Sequence, residues 1–190
     1  MDTELVIRAQ AGDEDAFTAL AVACVDRLRR VAFGILRDRL LADDATQQTL
    51  LSAWRKLPRL RDPACFDAWT YRILVRACSE QARRSRPWMP GIGMPGIEID
   101  PERGPAMADE MQTIADRDEL ERGFRRLSVD QRAVVVLHHL LGLPLDEVAH
   151  TLDIPLGTAH SRLDRAMGRL RIALHANVRR AGPAPQAVTR

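Results

Sequence analysis

The sequence is poor in aromatic residues, in lysine and in paired cysteines. Aromatic side chains make up 4% of its 190 residues, and Lys56 is its single lysine. The three cysteines, Cys24, Cys65 and Cys78, are far apart and form no CxxC pair. Each has apolar neighbours in sequence, so we expect buried free thiols in a reducing compartment rather than a disulfide framework.

The chain also has no apolar run near the length of a membrane span and no signal peptide. A membrane-spanning helix needs about 20 consecutive, mostly apolar residues. The N-terminal stretch is acidic with a helical pattern, which is not the pattern of a secretory signal. We therefore expect a cytoplasmic protein with no membrane insertion.

Motifs that carry catalysis are missing as well. No serine lies in a GxSxG motif, and there is no Walker loop or glycine-rich phosphate turn after a strand. All five histidines lie in the C-terminal part of the chain. His138 and His139 are adjacent and should face different sides of a helix, and no ligand cluster joins them to His150. We predict no catalytic residues, no cofactor, no metal site and no enzymatic activity.

Charge is distributed in blocks, although the formal net charge is only +2. Residues 1–86 carry a net +3, residues 87–118 a net −5 and residues 119–190 a net +4. Almost all the basic residues are arginine, which suits bidentate contacts with phosphate and guanine. A GC-rich genome explains the same usage and is the preferred explanation, so charge alone does not indicate a nucleic-acid partner.

The hydrophobic periodicity is helical almost throughout. The run Val134–Leu137 is rich in β-branched residues, but it lies within a helical period. We predict an all-α protein of two small helical domains, over 1–86 and 118–178, joined by a flexible, acidic Pro/Gly linker over 87–117 and followed by a disordered tail over 179–190. Helices are expected over about Thr3–Ala11, Asp13–Arg37, Leu41–Lys56, Cys65–Ser85, Met107–Arg126 and Ser128–Leu141, with a loop over Arg59–Ala64.

The stretch Leu143–Leu170 has the pattern of two helices joined by a tight turn. Pro144 suits the start of the first helix, and Pro155 suits the start of the second. This pattern is typical of a helix-turn-helix, whose second helix lies in the DNA major groove. An ordinary helical hairpin with a solvated polar face is the alternative. The second helix should bury Ala159, Leu163, Ala166, Met167 and Leu170, and expose Thr158, His160, Ser161, Arg162, Asp164, Arg165 and Arg169.

The helix over Cys65–Ser85 combines arginines with Trp69 and Tyr71. Arginines with interleaved aromatic rings suit single-stranded or melted DNA, because the rings stack on bases. From this stretch alone, a solvated helix with two core aromatics is the better interpretation. Its apolar face should hold Phe66, Trp69, Ile73, Leu74 and Ala77.

Taken together, the two helical blocks, the acidic linker and the helix-turn-helix resemble bacterial sigma factors of the extracytoplasmic-function (ECF) group. The resemblance covers about residues 3–86 and 118–175. In the first block, Ala42–Trp54 resembles the helix that docks on the polymerase clamp, and Phe66–Arg86 resembles the helix that opens the −10 element. The most specific motifs lie in the second block: Asp130–Gln131–Arg132, Gly142–Leu143, Glu147–Val148–Ala149, Pro155, Gly157–Thr158, Ser161–Arg162–Leu163 and Arg165–Ala166.

The resemblance implies a factor that binds core RNA polymerase and directs promoter-specific initiation. Its implied partners are the clamp helices of β′, the flap of β, promoter DNA and an anti-sigma factor. Polymerase contacts are implied for Asp44, Gln47, Gln48, Leu50 and Trp54. Contacts with the melted −10 strand are implied for Arg59, Arg61, Trp69, Tyr71, Arg72, Arg76, Arg83 and Arg84. Contacts with the −35 duplex are implied for Thr158, His160, Ser161, Arg162, Asp164 and Arg165.

Some positions depart from the family pattern. Gln48 stands where an acidic residue is usual, and Ala45 where a larger apolar residue is common. His160 replaces a usual basic residue, and Asp164 places a negative charge on the DNA-facing side, where it repels phosphate. We expect weak autonomous DNA affinity and reliance on polymerase. A stand-alone helix-turn-helix regulator and a sigma-like interaction decoy are the alternatives.

Overall fold

The computed structural model describes residues 1–85 and 120–178, with side chains described up to residue 173. Over these ranges every regular element is helical and no strand occurs, which confirms the predicted all-α fold. The predicted linker over 87–117 and the predicted tail over 179–190 lie outside the described residues, as does most of the helix expected over Met107–Arg126.

The first block contains the four predicted helices, α1 to α4. Three of them begin at an aspartate, Asp2, Asp13 or Asp38, whose carboxylate accepts a backbone N–H of the first turn. Such caps satisfy backbone donors that have no partner inside the helix. Asp38 starts the third helix earlier than expected, since it accepts the Leu41 N–H at 3.0 Å. The helices span Thr3–Gln10 (α1), Glu14–Leu36 (α2), Arg39–Lys56 (α3) and Phe66–Arg84 (α4).

The loop between α3 and α4 consists of two short 3₁₀ turns, Leu57–Arg59 and Pro63–Cys65. The Gln10 side-chain amide donates to the carbonyl oxygens of Leu57 and Leu60, at 3.1 and 2.7 Å. These bonds attach the loop to the end of α1 and fix the position at which α4 begins.

The second block comprises helical residues 120–125, α5 (Val129–Val135), a π-helical turn (Val136–Leu140), α6 (Leu145–Leu152) and α7 (Leu156–Val178). The predicted α-helix from Ser128 to Leu141 is therefore wrong in its last turn. There the Leu141 N–H bonds to the Val136 carbonyl oxygen at 3.3 Å, five residues back rather than four. Gly142 follows with φ +69°, the left-handed conformation that glycine adopts without strain.

Both blocks contribute to one continuous apolar core. Its first-block members lie on α2, α3 and α4 and include Leu28, Ile35 and Leu74. Its second-block members are Ala133, Val134, Val136, Leu137 and Val148. A smaller core under α1 contains Leu20 and Phe66, and another beneath α7 contains Leu127 and Leu170. The two blocks are thus packed against each other through side chains that are distant in sequence.

The cysteines do not all behave as predicted. Cys24 and Cys78 are buried free thiols in the shared core, as expected. The prediction is wrong for Cys65, which is exposed. It is the last residue of the second 3₁₀ turn, at the surface just before α4 begins. Its S–H donates to a carboxylate oxygen of Asp62 at 3.3 Å.

We expect alkylation to modify one of the three cysteines in the native protein and all three in urea. Burial raises the pKa of the Cys78 thiol to about 12, and burial also raises the pKa of Cys24. The thiolate is the reactive form, so both should resist iodoacetamide at neutral pH. The hydrogen bond to Asp62 raises the pKa of Cys65, so its modification should accelerate as the pH rises. Intact-mass spectrometry measures the stoichiometry; rapid native modification of Cys78 would show that the shared core opens readily.

Candidate nucleic-acid interface

The helix-turn-helix predicted over Leu143–Leu170 is formed by α6 and α7. Asp153 ends α6 in the left-handed conformation with φ 57°, and the Ile154 N–H bonds to the Ala149 carbonyl oxygen at 3.1 Å. The Pro155 carbonyl oxygen then accepts the N–H groups of Thr158 and Ala159, at 2.9 and 3.1 Å. The turn is therefore closed by backbone hydrogen bonds, which hold α7 at a defined angle to α6.

Small residues carry the contact between the two helices. Ala149 on α6 and Ala159 on α7 are both buried. Further along α7, Ala166 and Leu170 are buried in a cluster with Leu127, in the segment before α5, and Val135 of α5. Met167 was predicted on this buried face but is 37% exposed. It lies just beyond the edge of the stripe formed by Ala159, Ala166 and Leu170, because each helical residue is rotated from the one before it.

The opposite side of α7 presents the polar residues of the recognition helix. His160, Asp164 and Arg165 are exposed, whereas Thr158, Ser161 and Arg162 are half-buried. The Ser161 hydroxyl donates to the Thr158 carbonyl oxygen at 3.0 Å, and His160 Nδ1 lies 3.1 Å from the Leu156 carbonyl oxygen. His160, Asp164 and Arg165 therefore form the part of α7 best placed to meet a partner.

Two arginines of α7 contact the start of α5. A guanidinium nitrogen of Arg162 lies 3.1 Å from a carboxylate oxygen of Asp130. Arg169 donates to the side-chain oxygen of Gln131 at 3.0 Å. The same Gln131 oxygen accepts the Ser128 N–H at 3.1 Å and completes the predicted capping box, which the structure confirms. Arg169 thus joins the helix cap to α7 rather than facing a partner, a contact that sequence spacing alone did not indicate.

We expect Gln131→Leu to lower the free energy of unfolding by about 0.5–2 kcal/mol, because it removes the acceptor of the Ser128 N–H in the capping box and of the Arg169 guanidinium. The matched control is Ser128→Ala, which removes the cap hydroxyl but leaves the contact between Gln131 and Arg169. Urea titration followed by circular dichroism measures both variants. A loss for Gln131→Leu no larger than for Ser128→Ala would show that the Arg169 contact contributes nothing.

The α4 surface differs from the prediction at one aromatic ring. Tyr71 is 5% exposed and packs in the shared core, with the Arg27 guanidinium 5.6 Å from its ring centre. Its assignment to the −10 strand is therefore wrong, because a buried ring offers no face to a base. Trp69 is half-buried and lies 6.1 Å from the Phe66 ring. Arg76, Arg83 and Arg84 are exposed on α4, as are Arg59 and Arg61 in the preceding loop.

Two of the α4 arginines contact the helix-turn-helix. Arg72 donates to the His150 carbonyl oxygen at 3.0 Å and lies 3.0 Å from Nδ1 of the same residue. Arg76 lies 3.5 Å from a carboxylate oxygen of Asp153. The predicted −10 and −35 surfaces are thus adjacent across a cleft, lined among others by Arg76, Arg83 and Arg162.

The residues predicted to contact polymerase lie on α3. Asp44 and Gln47 are exposed, and Gln48, Leu50 and Trp54 are half-buried. Trp54 packs on Phe17 of α2, with ring centres 4.8 Å apart. Leu51, one helical turn after Gln47, is 50% exposed on the same face and was not among the residues predicted from the sequence.

The sequence predicted that His138 and His139 face different sides of a helix. In the structure their side chains lie together. Their rings meet edge to face with centres 4.7 Å apart. The π-helical turn is wider than an α-helix and rotates successive residues by a smaller angle, which brings neighbouring side chains together.

Within 1–85 and 120–178, no group of three histidine, cysteine or acidic residues is arranged to hold a metal ion. None of the helices described over those ranges combines the length and the hydropathy that a membrane crossing requires.

These features define a helix-turn-helix protein with a second basic helical surface next to the recognition helix. Family models match the chain twice, as Sigma-70 region 2 over residues 20–87 and as Sigma-70 region 4 over residues 117–170. The chain belongs to the ECF family of RNA polymerase sigma factors, and its function is to direct transcription initiation. Sigma factors are generally non-enzymatic initiation factors.

Relatives match along most of their length. The ECF RNA polymerase sigma factor SigM of Mycobacterium tuberculosis is 33% identical over 169 residues, which are 89% of this chain and 82% of the relative. The ECF RNA polymerase sigma-E factor of Salmonella typhimurium is 32% identical over 176 residues, 87% and 90% of the two chains. The fold is also that of the sigma factor RpoE solved in complex with the anti-sigma factor NepR from Bartonella quintana, with a TM-score of 0.62, 24% identity and coverage of 84% and 96%.

Proposed function

We propose that this sigma factor reads a promoter at two places, with α7 on the −35 duplex and α4 on the melted −10 strand. The observation that carries the proposal is the exposed group His160, Asp164 and Arg165 on α7, on the side away from the buried residues Ala159, Ala166 and Leu170. A recognition helix of this kind presents its polar side to base edges in the major groove.

At the −35 element, Arg165 reads a base and His160 and Ser161 add contacts to base edges. Asp164 repels phosphate, so it is accommodated where it accepts a hydrogen bond from a cytosine amino group. Thr158 and Arg162 contact phosphates. Arg162 forms an ion pair with Asp130. To contact a DNA phosphate, its guanidinium must either leave Asp130 or bind the carboxylate and the phosphate at the same time. These features favour a −35 sequence different from one read by a purely basic helix.

At the −10 element, Arg72, Arg76, Arg83 and Arg84 hold the backbone of the melted strand, and Trp69 offers a ring for stacking. Arg59 and Arg61 line the loop that takes a base out of the stack. Unstacking a base costs a few kcal/mol, which phosphate contacts and a pocket must offset. Tyr71 supports this surface from the core rather than touching DNA.

Core polymerase binds α3 through the clamp helices of β′, on a face formed by Asp44, Gln47, Gln48, Leu50 and Trp54 and extended by Leu51. The flap of β binds the second block. This arrangement divides the chain into domains over 1–86 and 118–178, with the acidic segment 87–117 threading toward the polymerase channels between them. We also propose that the protein acts in the cytoplasm and is held inactive by an anti-sigma factor, the kind of partner present in the solved RpoE complex.

Run-off transcription with core polymerase on a set of genomic promoters tests the proposal. We expect start-site-specific transcripts that appear only when the factor is present. Stable polymerase binding without any such transcript would favour an interaction decoy. Promoter binding without polymerase binding would favour a stand-alone regulator and contradict the proposal.

A further inference from the structure

We propose that Gln10, the last residue of α1, is a positioning residue for base recognition in the −10 element. It acts through the loop between α3 and α4, residues 57–65, and does not touch DNA itself. The role rests on the proposed function above, which assigns Arg59 and Arg61 of this loop to the base that leaves the stack. Gln10 lies outside residues 20–87, the part of the chain that matches Sigma-70 region 2.

The loop's own hydrogen bonds close each of its two 3₁₀ turns separately. In the first turn, the Leu60 N–H bonds to the Leu57 carbonyl oxygen at 3.0 Å. In the second, the Asp62 carboxylate accepts the Ala64 N–H at 2.9 Å. Because these bonds join residues only two or three positions apart, they shape each turn but do not fix the loop relative to the helices around it.

The Gln10 side chain supplies a long-range attachment for the loop. Its amide nitrogen donates to the Leu57 carbonyl oxygen at 3.1 Å and to the Leu60 carbonyl oxygen at 2.7 Å. A primary amide provides two donors from one atom, whereas a carboxylate of the same shape provides none. Arg59 lies between the two attached residues in sequence, and Arg61 directly follows the second. The amide therefore holds the backbone on both sides of Arg59 and immediately before Arg61.

The helix that carries Gln10 is itself fixed by packing. Val6 and Ala9 of α1 are buried in the smaller core. The same core contains Leu57, the first residue of the loop, and Phe66, the first residue after it. Both ends of the loop are thus packed under α1, and the amide adds an attachment between them. Gln10 is half-buried, so water competes less for these hydrogen bonds than it would at an exposed position.

A fixed loop discriminates between bases better than a loose one. A loop held in one conformation disfavours a base whose edge does not match it, whereas a loose loop can shift until a second base fits. Arg59 and Arg61 are both exposed, so the positions of their side chains depend on the backbone that carries them. Loss of the two hydrogen bonds from Gln10 should therefore reduce selectivity for the captured base more than it reduces the yield of transcript.

Two full-length variants remove the attachment in different ways. Gln10→Glu keeps the shape of the side chain but replaces both donors with an acceptor that faces two carbonyl oxygens. Gln10→Met keeps a similar length without donors or charge, so the test does not depend on tolerance of a new carboxylate. Arg8→Met is the matched control, since it removes a hydrogen-bonding side chain from the same helix. Arg8 is exposed and pairs with Asp13 at 2.6 Å rather than with the loop.

Hydrogen–deuterium exchange measured by mass spectrometry tests the attachment without DNA or polymerase. We expect peptides that cover residues 57–65 to exchange about 5- to 30-fold faster in both Gln10 variants than in the wild type, since each net hydrogen bond contributes modestly to the closed loop. Peptides from the middle of α2 should be unchanged, and Arg8→Met should match the wild type throughout. Unchanged exchange over residues 57–65 in both variants would overturn the attachment.

Run-off transcription by holoenzyme tests the positioning role. The cognate promoter is compared with promoters substituted singly at each −10 position, and with one substituted at −35. We expect both Gln10 variants to lose about 5- to 30-fold of the discrimination at the captured −10 base while −35 discrimination stays constant. A merely structural role would lower transcription from all promoters alike, and that result would overturn the proposal. A wild type without preference at any −10 position would contradict the proposed function and with it the positioning role, while exchange still decides whether Gln10 fixes the loop.

Discussion

Leu137→Ala should lower the free energy of unfolding by about 2–5 kcal/mol, the range found when a buried leucine is truncated and leaves a cavity. Leu137 is fully buried in the core shared by the two blocks. Its neighbours come from helices far apart in sequence, so they cannot all move in to fill the space. Urea denaturation at equilibrium, followed by circular dichroism, measures the loss.

Leu140→Ala provides the control for this prediction. Leu140 has the same side chain and lies in the same π-helical turn, but it is 56% exposed. Truncation of an exposed leucine should change stability by no more than about 0.5 kcal/mol. A similar loss at both positions would mean that burial in the shared core does not determine the effect, since alanine is the better helix former and propensity alone predicts no loss.

Arg165→Ala should weaken discrimination between a cognate and a scrambled −35 element by about 1–3 kcal/mol, or roughly 5- to 150-fold. Arg165 is exposed on the polar side of α7, where a guanidinium reaches base edges without losing a partner inside the protein. Competition binding of holoenzyme to the two duplexes measures the ratio. The ratio, rather than the affinity, is informative because phosphate contacts affect both duplexes equally.

Arg171→Ala is the matched control on the same helix. Arg171 is also exposed but lies beyond the predicted recognition residues. Its removal eliminates the same charge, so it should alter salt-dependent affinity without changing the ratio between duplexes. Equal discrimination by the Arg165→Ala variant and the wild type would refute the assignment of Arg165 to base recognition.

Much of the local structure was predictable from the sequence because the signals act over short distances. An aspartate before a helical period, as at Asp13, caps the helix that follows it. Ser128 and Gln131 form a capping box from their spacing alone. Pro155 and the apolar positions around it predicted the helix-turn-helix. The assignment to ECF sigma factors came from the resemblance of whole motifs, and the family matches confirm it.

The errors occurred where exposure depends on a distant part of the chain. Tyr71 was assigned to DNA because it lies among arginines, yet Arg27 and the shared core cover it. Cys65 has apolar neighbours in sequence but lies on a turn at the surface. Periodicity gives the direction in which a side chain points around its own helix. It does not say whether another helix lies there.

The sequence by itself determined the helices, their caps, the helix-turn-helix and the family, since all of these depend on residues within a few turns of one another. The tertiary structure alone decided how the two blocks meet. The contact of Gly34 with Val136 and the position of Arg37 between Phe33 and Phe124 join residues about a hundred positions apart. Such contacts arise from packing of whole helices, and no local pattern encodes them. They place the proposed −10 and −35 surfaces side by side in the free protein.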